Sequence, residues 1–301
     1  MSINVLCIGD VMLDVIVQIG VTPQQINYGS DTAARISTGS GGAAGNVAAW
    51  LTRTPAQSTI VSRIGDDPAG AAIIAEFDQL GVTHSGLTTA GKSSGVVIVL
   101  VDSTGERTMF PDKGANSYLE LSDLPDLEKY HAVYISGYAL INSISRPTVL
   151  AMMERIKEAG IAIYFDPASV GALKEIADSE LLNWLSLMDV LFLNEEEAIF
   201  ISGSSNIEKA LDYLLKFSST VVIKRGSEGC IAKVRGSDSI SISAKEQGVI
   251  DTTGAGDSFA AGFIAAFAEK AELNAALAAG TELAAECVAI VGGRPRVGTV
   301  I

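Results

Sequence analysis

The sequence predicts an α/β fold: a mostly parallel central sheet, helices on both of its faces, and a small β lid beside it. Three observations predict it. From Ala132 onward, short apolar runs alternate with longer helical ones, the pattern of strands joined by crossover helices in a parallel sheet. The apolar runs end on polar residues, Asp10, Asp166, Asn194 and Lys224, as expected where strand ends face a ligand crevice. Segments 14–37 and 96–111 carry strand-like runs broken by turn residues and lack a helical period, so they fall outside the alternation and are expected to form the lid. A single domain over residues 1–301 is expected, with the lid segments inserted in it.

In chain order, Val5 to Ile8 reads as a buried first strand running into Gly9 and Asp10, with Asp14 just beyond. Gly39 to Asn46 is glycine-rich and enters a helical patch, Val47 to Leu51. Its glycines allow close backbone approach to a small ligand, or equally tight packing of a helix start on the sheet, and Asn46 offers both a donor and an acceptor. A dinucleotide-binding reading does not fit, because the spacing is not G-x-G-x-x-G and a polar segment precedes it. Ser58 to Ile64 reads as a strand, and Pro68 opens a helix through Ile73, Ile74, Phe77 and Leu80. Gly86 to Ser93 matches the Walker A pattern in letters only. It leads into an evident strand, Val96 to Val101, where a P-loop needs a helix. Asp102 to Glu106 then turns the chain back through Arg107 to Pro111 as a hairpin.

The regular part follows: strand Ala132 to Ser136, helix Arg146 to Ala159, strand Ile161 to Asp166, helix Ala172 to Leu187 and strand Val190 to Leu193. Asn194 to Glu197 enters the next helix. It is either an acidic first turn that suits the helix dipole or a set of carboxylates that hold water around Mg2+. Thr220 to Lys224 is a strand, Arg225 to Gly229 a turn, and Cys230 to Val234 a strand. Lys224 and Arg225 either meet phosphates or are solvated turn charges. Phe259 to Phe267 and the Ala-rich Asn274 to Ile290 are helices expected to pack closely.

Composition narrows the function. With 301 residues, 48% of them hydrophobic, the chain can bury a large core. A net charge of −14 with 21 Lys and Arg and no basic run argues against nucleic acid or membrane as partners, so any phosphate ligand must be held locally. Three Cys and two His without metal-ligand spacing suggest neither disulfides nor zinc. No basic n-region opens the chain and no apolar run reaches membrane-spanning length, so a reducing cytoplasm is expected.

The stretch Ile250 to Ser258 carries the chemistry. Gly254, Ala255 and Gly256 have little or no side chain and precede a helix, so their N–H groups stand where orphan donors and the positive dipole end favour an oxyanion. Asp257 in the first turn is either a helix cap or a general base beside that anion hole.

On these residues the chain resembles the ribokinase-like, or PfkB-type, carbohydrate kinases over essentially its whole length. Asp251 to Phe259 is the specific signature, and Gly41 to Asn46 the second. Supporting pieces are Gly9-Asp10 with Asp14, the runs 65–70 and 105–108, Asn194 to Glu197, and Lys224 to Gly226. The resemblance implies a three-layer α/β/α domain, with ATP along the strand ends and Mg2+ as cofactor. By the resemblance, Asp257 takes the acceptor's proton and the backbone of Gly254, Ala255 and Gly256 holds the phosphoryl charge. Asp14, Gly41, Gly42 and Asn46 grip the acceptor. Asn194, Lys224, Gly226 and Gly229 fall along the nucleotide, Glu197 binds Mg2+ through water, and Asp251 with Thr253 marks a monovalent cation site for K+. Ala43 stands where ribokinases have Lys, and Tyr138 where they place an acidic sugar ligand.

The expected activity is transfer of the ATP γ-phosphoryl group to a primary hydroxyl of a small sugar or sugar acid. A nucleoside kinase of the same family is the alternative, and a ligand-binding protein without catalysis is a third reading. A homodimer through the lids is expected from their sheet edges.

Overall fold

The computed structural model describes residues 3–84, 88–89 and 91–296. Among these, nine strands form the central sheet, in the order Ile240–Ile242, Cys230–Val234, Thr220–Lys224, Val190–Asn194, Ala162–Asp166, Ala132–Ser136, Asn4–Ile8, Gln57–Val61 and Thr83–His84. All pairings are parallel except those that add Cys230–Val234 and Ile240–Ile242 at one edge. The short apolar runs are strands because both of their faces are buried, so side chains of each parity find a hydrophobic layer. Val5 and Cys7 pack into one core and Leu6 and Ile8 into another; Val190 and Phe192 divide from Leu191 and Leu193 in the same way.

The first core is roofed by the helices Ala43–Leu51, Pro68–Leu80, Ala255–Ala268 and Leu273–Val288, which supply Trp50, Phe77, Phe263 and Leu277. The second lies under Arg146–Glu158, Asp178–Ser186 and Ile207–Leu214, with Met153, Trp184 and Leu211 fully or almost fully buried. At about 1.5–3 kcal/mol for each large apolar side chain buried, these two layers dominate the stability of the fold. Helices on both sheet faces make the three-layer α/β/α arrangement expected from the alternation.

Two predicted elements are broken. The strand expected over 58–64 is split into Gln57–Val61 and Ile64–Gly65, because Ser62 and Arg63 turn to partners outside the sheet. Ser62 Oγ donates to Asn116 Oδ1 at 2.8 Å, and Arg63 pairs with Asp123 at 2.8 Å. The helix expected over 172–187 is split into Val170–Leu173 and Asp178–Ser186. Leu173 and Ile176 are both buried in the second core, and the chain turns between them before restarting at Asp178.

A separate four-stranded sheet runs in the order Ala34–Gly41, Met12–Ile19, Gly95–Val101 and Arg107–Asp112. It contains the strand runs expected outside the alternation, with Gly95–Val101 and Arg107–Asp112 as the predicted antiparallel hairpin. Its register sorts its two faces. Asp14 and Arg107 share one face, through Val97 and Val101, whereas Ile36, Ile98 and Phe110 share the other and are exposed.

Candidate active site

The C-terminal ends of the parallel strands converge on one crevice. Asp10, just past Asn4–Ile8, is buried and accepts a hydrogen bond from Ser136 Oγ at 2.9 Å, with the Lys113 ammonium 3.6 Å away. Asp166 ends its strand with Oδ2 2.6 Å from Lys224 Nζ, so Lys224 is an anchored cation and not a solvated turn charge. Burial opposes the charge on Lys224, but Asp166 and Glu197 outweigh it and hold its pKa above the usual lysine value.

The helix Ala255–Ala268 starts at Gly254, whose φ of 77° is the left-handed region that glycine enters freely. A Cβ there would also lie 2.6 Å from the Gly293 carbonyl oxygen. The sharp turn lets the Ala255 N–H reach Thr252 O at 3.3 Å. Helix geometry leaves the N–H groups of Gly256 and Asp257 without intrahelical acceptors. A Cβ on Gly256 would sit 3.0 Å from Lys224 Nζ, so its bareness keeps the ammonium close to this helix start.

Asp257 does not cap its helix: the cap position is Gly254 and no side chain completes it. The Asp257 carboxylate turns instead toward Asn46, whose Nδ2 donates to Oδ2 at 2.8 Å. Burial pushes Asp257 up to about 7; the Asn46 hydrogen bond and Lys224 oppose the rise, while Asp166 and Asp10 add to it. A carboxylate with this pKa changes protonation near neutrality.

Sequence reasoning missed Arg294. It is buried, and its Nε donates to Asn46 Oδ1 at 3.1 Å while another guanidinium nitrogen donates to the Gly41 carbonyl at 2.7 Å. A third guanidinium nitrogen pairs with Glu76, and the group lies 4.7 Å from the centre of the Phe77 ring. Beside it, the Trp50 indole N–H donates to the Gly293 carbonyl at 2.9 Å. Local sequence offered little signal beyond an arginine set between Gly293 and Pro295.

Asp14 lies on the site-facing side of the small sheet. Burial raises it to about 6, against the pull of Arg294 and with the help of Asp10. Its Oδ1 lies 2.1 Å from where a Cβ on Gly41 would stand, so Gly41 is bare to admit the carboxylate. Gly42 caps Ala43–Leu51 at the same junction, with φ of 87°. Asp14, Gly41, Gly42, Asn46 and Asp257 are thus brought together. Tyr138 stands nearby with the Lys113 ammonium 4.2 Å from its ring centre.

On the other side of Lys224, Asn194 and Glu197 form a reciprocal capping box. Asn194 N and Nδ2 donate to the two Glu197 oxygens at 2.8 and 2.9 Å, and Glu197 N donates to Asn194 Oδ1 at 2.8 Å. Glu197 is almost fully buried, and burial, then the Asp166 charge, push its pKa up. With both oxygens engaged, Glu197 suits contact to Mg2+ through water rather than direct ligation, and among the described residues no cluster of three or more His, Cys, Asp or Glu could hold a metal. Gly226 and Gly229, with φ of 54° and 90°, shape the turn after Lys224, and a Cβ on Gly226 would meet open space.

Asp251 and Thr253, expected to hold a monovalent cation, are engaged by Arg107 of the small sheet. Its guanidinium donates to Asp251 Oδ1 at 2.8 Å and also to Thr253 Oγ1. Asp251 further accepts from Thr253 N and Oγ1 and from Gly292 N. Burial alone would raise Asp251; the N–H groups of Thr253 and Gly292 and then Arg107 outweigh it and bring it down to about 2. A cation at this carboxylate would have to displace Arg107.

Among the described residues, the Walker-like run makes no hydrogen bond to the side chains of this crevice. Its Gly86, Leu87 and Ala90 lie outside the described residues, Lys92 Nζ donates to Tyr118 OH at 2.9 Å, and the strand Gly95–Val101 follows.

The pfkB family of carbohydrate kinases matches residues 2–297. A fructokinase of Klebsiella pneumoniae is 35% identical over 273 residues, covering 86% of this chain and 88% of that protein. Among solved structures, an adenosine kinase from Sinorhizobium meliloti superposes with a TM-score of 0.86 at 22% identity, over 99% of this chain and 97% of the other. A putative ribokinase II from E. coli, solved with ATP and Mg2+, gives 0.84 at 21% identity, over 97% and 94%. These two likenesses establish the ribokinase-like fold, and the nucleotide and Mg2+ are properties of the E. coli protein. Among the described residues, no helix is long and apolar enough to cross a membrane.

Proposed function

Because the chain belongs to the pfkB family of carbohydrate kinases, and is therefore a phosphotransferase, we propose that it moves the γ-phosphoryl group of ATP to a primary hydroxyl of a small sugar or sugar acid, with Asp257 as general base. The observation that carries this reading is the Asp257 carboxylate, pushed up to about 7 and held by Asn46 at a helix start that no side chain caps and that lies beside the Lys224 ammonium.

The steps follow from that geometry. The acceptor hydroxyl lies against Asp257, which takes its proton as the oxygen attacks phosphorus; the bond from the γ-phosphorus to the bridging oxygen breaks, and ADP leaves. The free N–H groups of this helix start, that of Gly256 first, meet the charge on the transferring group, the Ala255 N–H being turned to Thr252 O, and Lys224, steadied by Asp166, adds a positive charge there. Asn194, Gly226 and Gly229 border the nucleotide side. Mg2+ arriving with ATP supplies further charge neutralisation, and Glu197 would hold its water shell.

Asp14 and Asn46 bind the acceptor, and the small sheet that carries Asp14 acts as the lid over it. That lid excludes water and so limits ATP hydrolysis. Polar groups gather near Asp257: Asp10 acts on its charge, Ser136 and Lys113 contact Asp10, and Asp14 feels the same Asp10. The Tyr138 ring, which could stack on a nucleobase, is covered by Lys113. This favours a polyhydroxylated acceptor over a nucleoside. A coupled ADP-release screen over hexoses, pentoses, sugar acids and nucleosides tests the proposal. Turnover confined to nucleosides would replace it with the nucleoside-kinase reading, and no turnover with any class would refute both.

A further inference from the structure

The carboxamide of Asn46 has two ends of nearly equal shape and opposite hydrogen-bonding character, and only one orientation puts a donor on Asp257. We propose that Arg294 is a positioning residue for phosphoryl transfer: it fixes that orientation, so that Asn46 holds Asp257 by one oxygen and leaves the other to meet the acceptor hydroxyl. The proposal rests on the reading of Asp257 as general base.

The geometry supports it in three ways. A guanidinium offers only donors, so at 3.1 Å Arg294 Nε can donate only to the oxygen end of Asn46, and Nδ2 is thereby turned to Asp257 at 2.8 Å. Arg294 is itself fixed by Glu76 of the Pro68–Leu80 helix, by the Gly41 carbonyl at 2.7 Å and by the Phe77 face. The backbone is also cut to fit both side chains. A Cβ on Gly45 would stand 2.4 Å from an Arg294 nitrogen, and one on Gly293 would stand 2.9 Å from Asn46 Nδ2. Two distant segments, at Asp257 and at Gly293 with Arg294, thus converge on the Asn46 amide.

Without Arg294 the amide is free to turn its oxygen toward the Asp257 carboxylate, and a positive charge near Asp257 is lost. Both changes favour the protonated acid. The other ionisable groups facing Asp257 are Asp166, Asp10 and Lys224 from the strand ends, Tyr134 and Tyr138 from the neighbouring strand and helix, and Cys287 from Leu273–Val288.

The test is the pH dependence of kcat for Arg294→Met, with KM for ATP and the melting temperature measured on the same preparation. The acid limb is expected to move up by about one pH unit; from a parent value of about 7, turnover at pH 7 falls about fivefold, is largely regained at pH 9, and KM for ATP stays within about twofold. Arg294→Lys keeps a charge beside Glu76 without the planar fork; it should shift the limb the same way by less, and it carries the test if the Met variant does not fold. In Asn46→Ala, adding Arg294→Met should cost clearly less than it does in the parent, because the relay is already cut and only the direct charge effect is left. A profile lowered equally at every pH, or fully additive losses in the double variant, would overturn the positioning role. Asp257→Asn distinguishes the two levels: if it abolishes turnover while Arg294→Met leaves the limb in place, Asp257 remains the base and the relay alone falls.

Discussion

Replacing Asp257 by Asn separates chemistry from stability, because the two should move in opposite directions. The change keeps the size of the side chain and removes the group that takes the proton, so kcat should fall by about 10²–10⁴-fold, the usual worth of positioned proton transfer. Stability follows from the raised pKa. A carboxyl with an ordinary value of 3.8 that is pushed to about 7 in the folded state binds its proton more tightly when folded. Its ionised form therefore costs nothing below pH 4, and the cost grows as pH rises from 4 to 7. At about 1.4 kcal/mol per pH unit the whole shift would amount to about 4 kcal/mol, and the partial exposure of the side chain brings this to roughly 2–4 kcal/mol. At pH 8 the Asn variant should melt several degrees higher than the parent, and at pH 4 the two should coincide. Calorimetric melting at both pH values, with kcat and ATP affinity from the same preparation, measures all of this. Near-normal turnover would refute the mechanism, and equal melting at pH 8 would refute the account of a carboxylate strained by burial.

Since Arg107 occupies the Asp251 and Thr253 site, turnover of the parent protein should be the same in K+ and in tetramethylammonium salts at equal ionic strength; a K+ requirement would show that the guanidinium yields the site. Arg107→Ala should raise the acceptor KM about tenfold or more, because the small sheet loses a charge-assisted tie worth about 1.5–3 kcal/mol. Lys92→Ala should leave kcat within about twofold of the parent, since the Lys92 ammonium is engaged by the Tyr118 hydroxyl, and a loss of several hundredfold would restore the P-loop reading. Ile36, Ile98 and Phe110 expose one apolar face of the small sheet, so light scattering should show a dimer and Phe110→Asp should shift it toward monomer; a monomeric parent would remove the dimer proposal.

Where the physics is local, the chain could be read directly. Ala132–Ser136, Thr220–Lys224 and Cys230–Val234 were predicted to the residue, because an apolar run bounded by turn residues has few ways to bury both of its faces. The helix start at Gly254 and the polar strand ends were legible for the same reason. Contacts across the chain were not. Asn46 and Asp257 are 211 residues apart, Arg107 and Asp251 144, and Asn46 and Arg294 248. No window of sequence distinguishes Arg294 from the twenty other basic residues. The two readings of Asp257 also differed only in where its carboxylate points, which depends on the distant Asn46. Breaks such as that after Val61 likewise came from partners elsewhere, here Asn116 and Asp123.

The bond from the Trp50 indole to the Gly293 carbonyl gives the protein an intrinsic optical reporter. That carbonyl is the atom against which the Gly254 turn packs, so a shift of the turn changes the electric field at one buried indole. Only one other tryptophan exists, Trp184, and it lies in the opposite hydrophobic layer with the Arg146 guanidinium 5.3 Å from its ring centre. Emission from Trp184 serves as a steady background, and ligand arrival at the helix start should be visible as a spectral change from Trp50 without any attached dye.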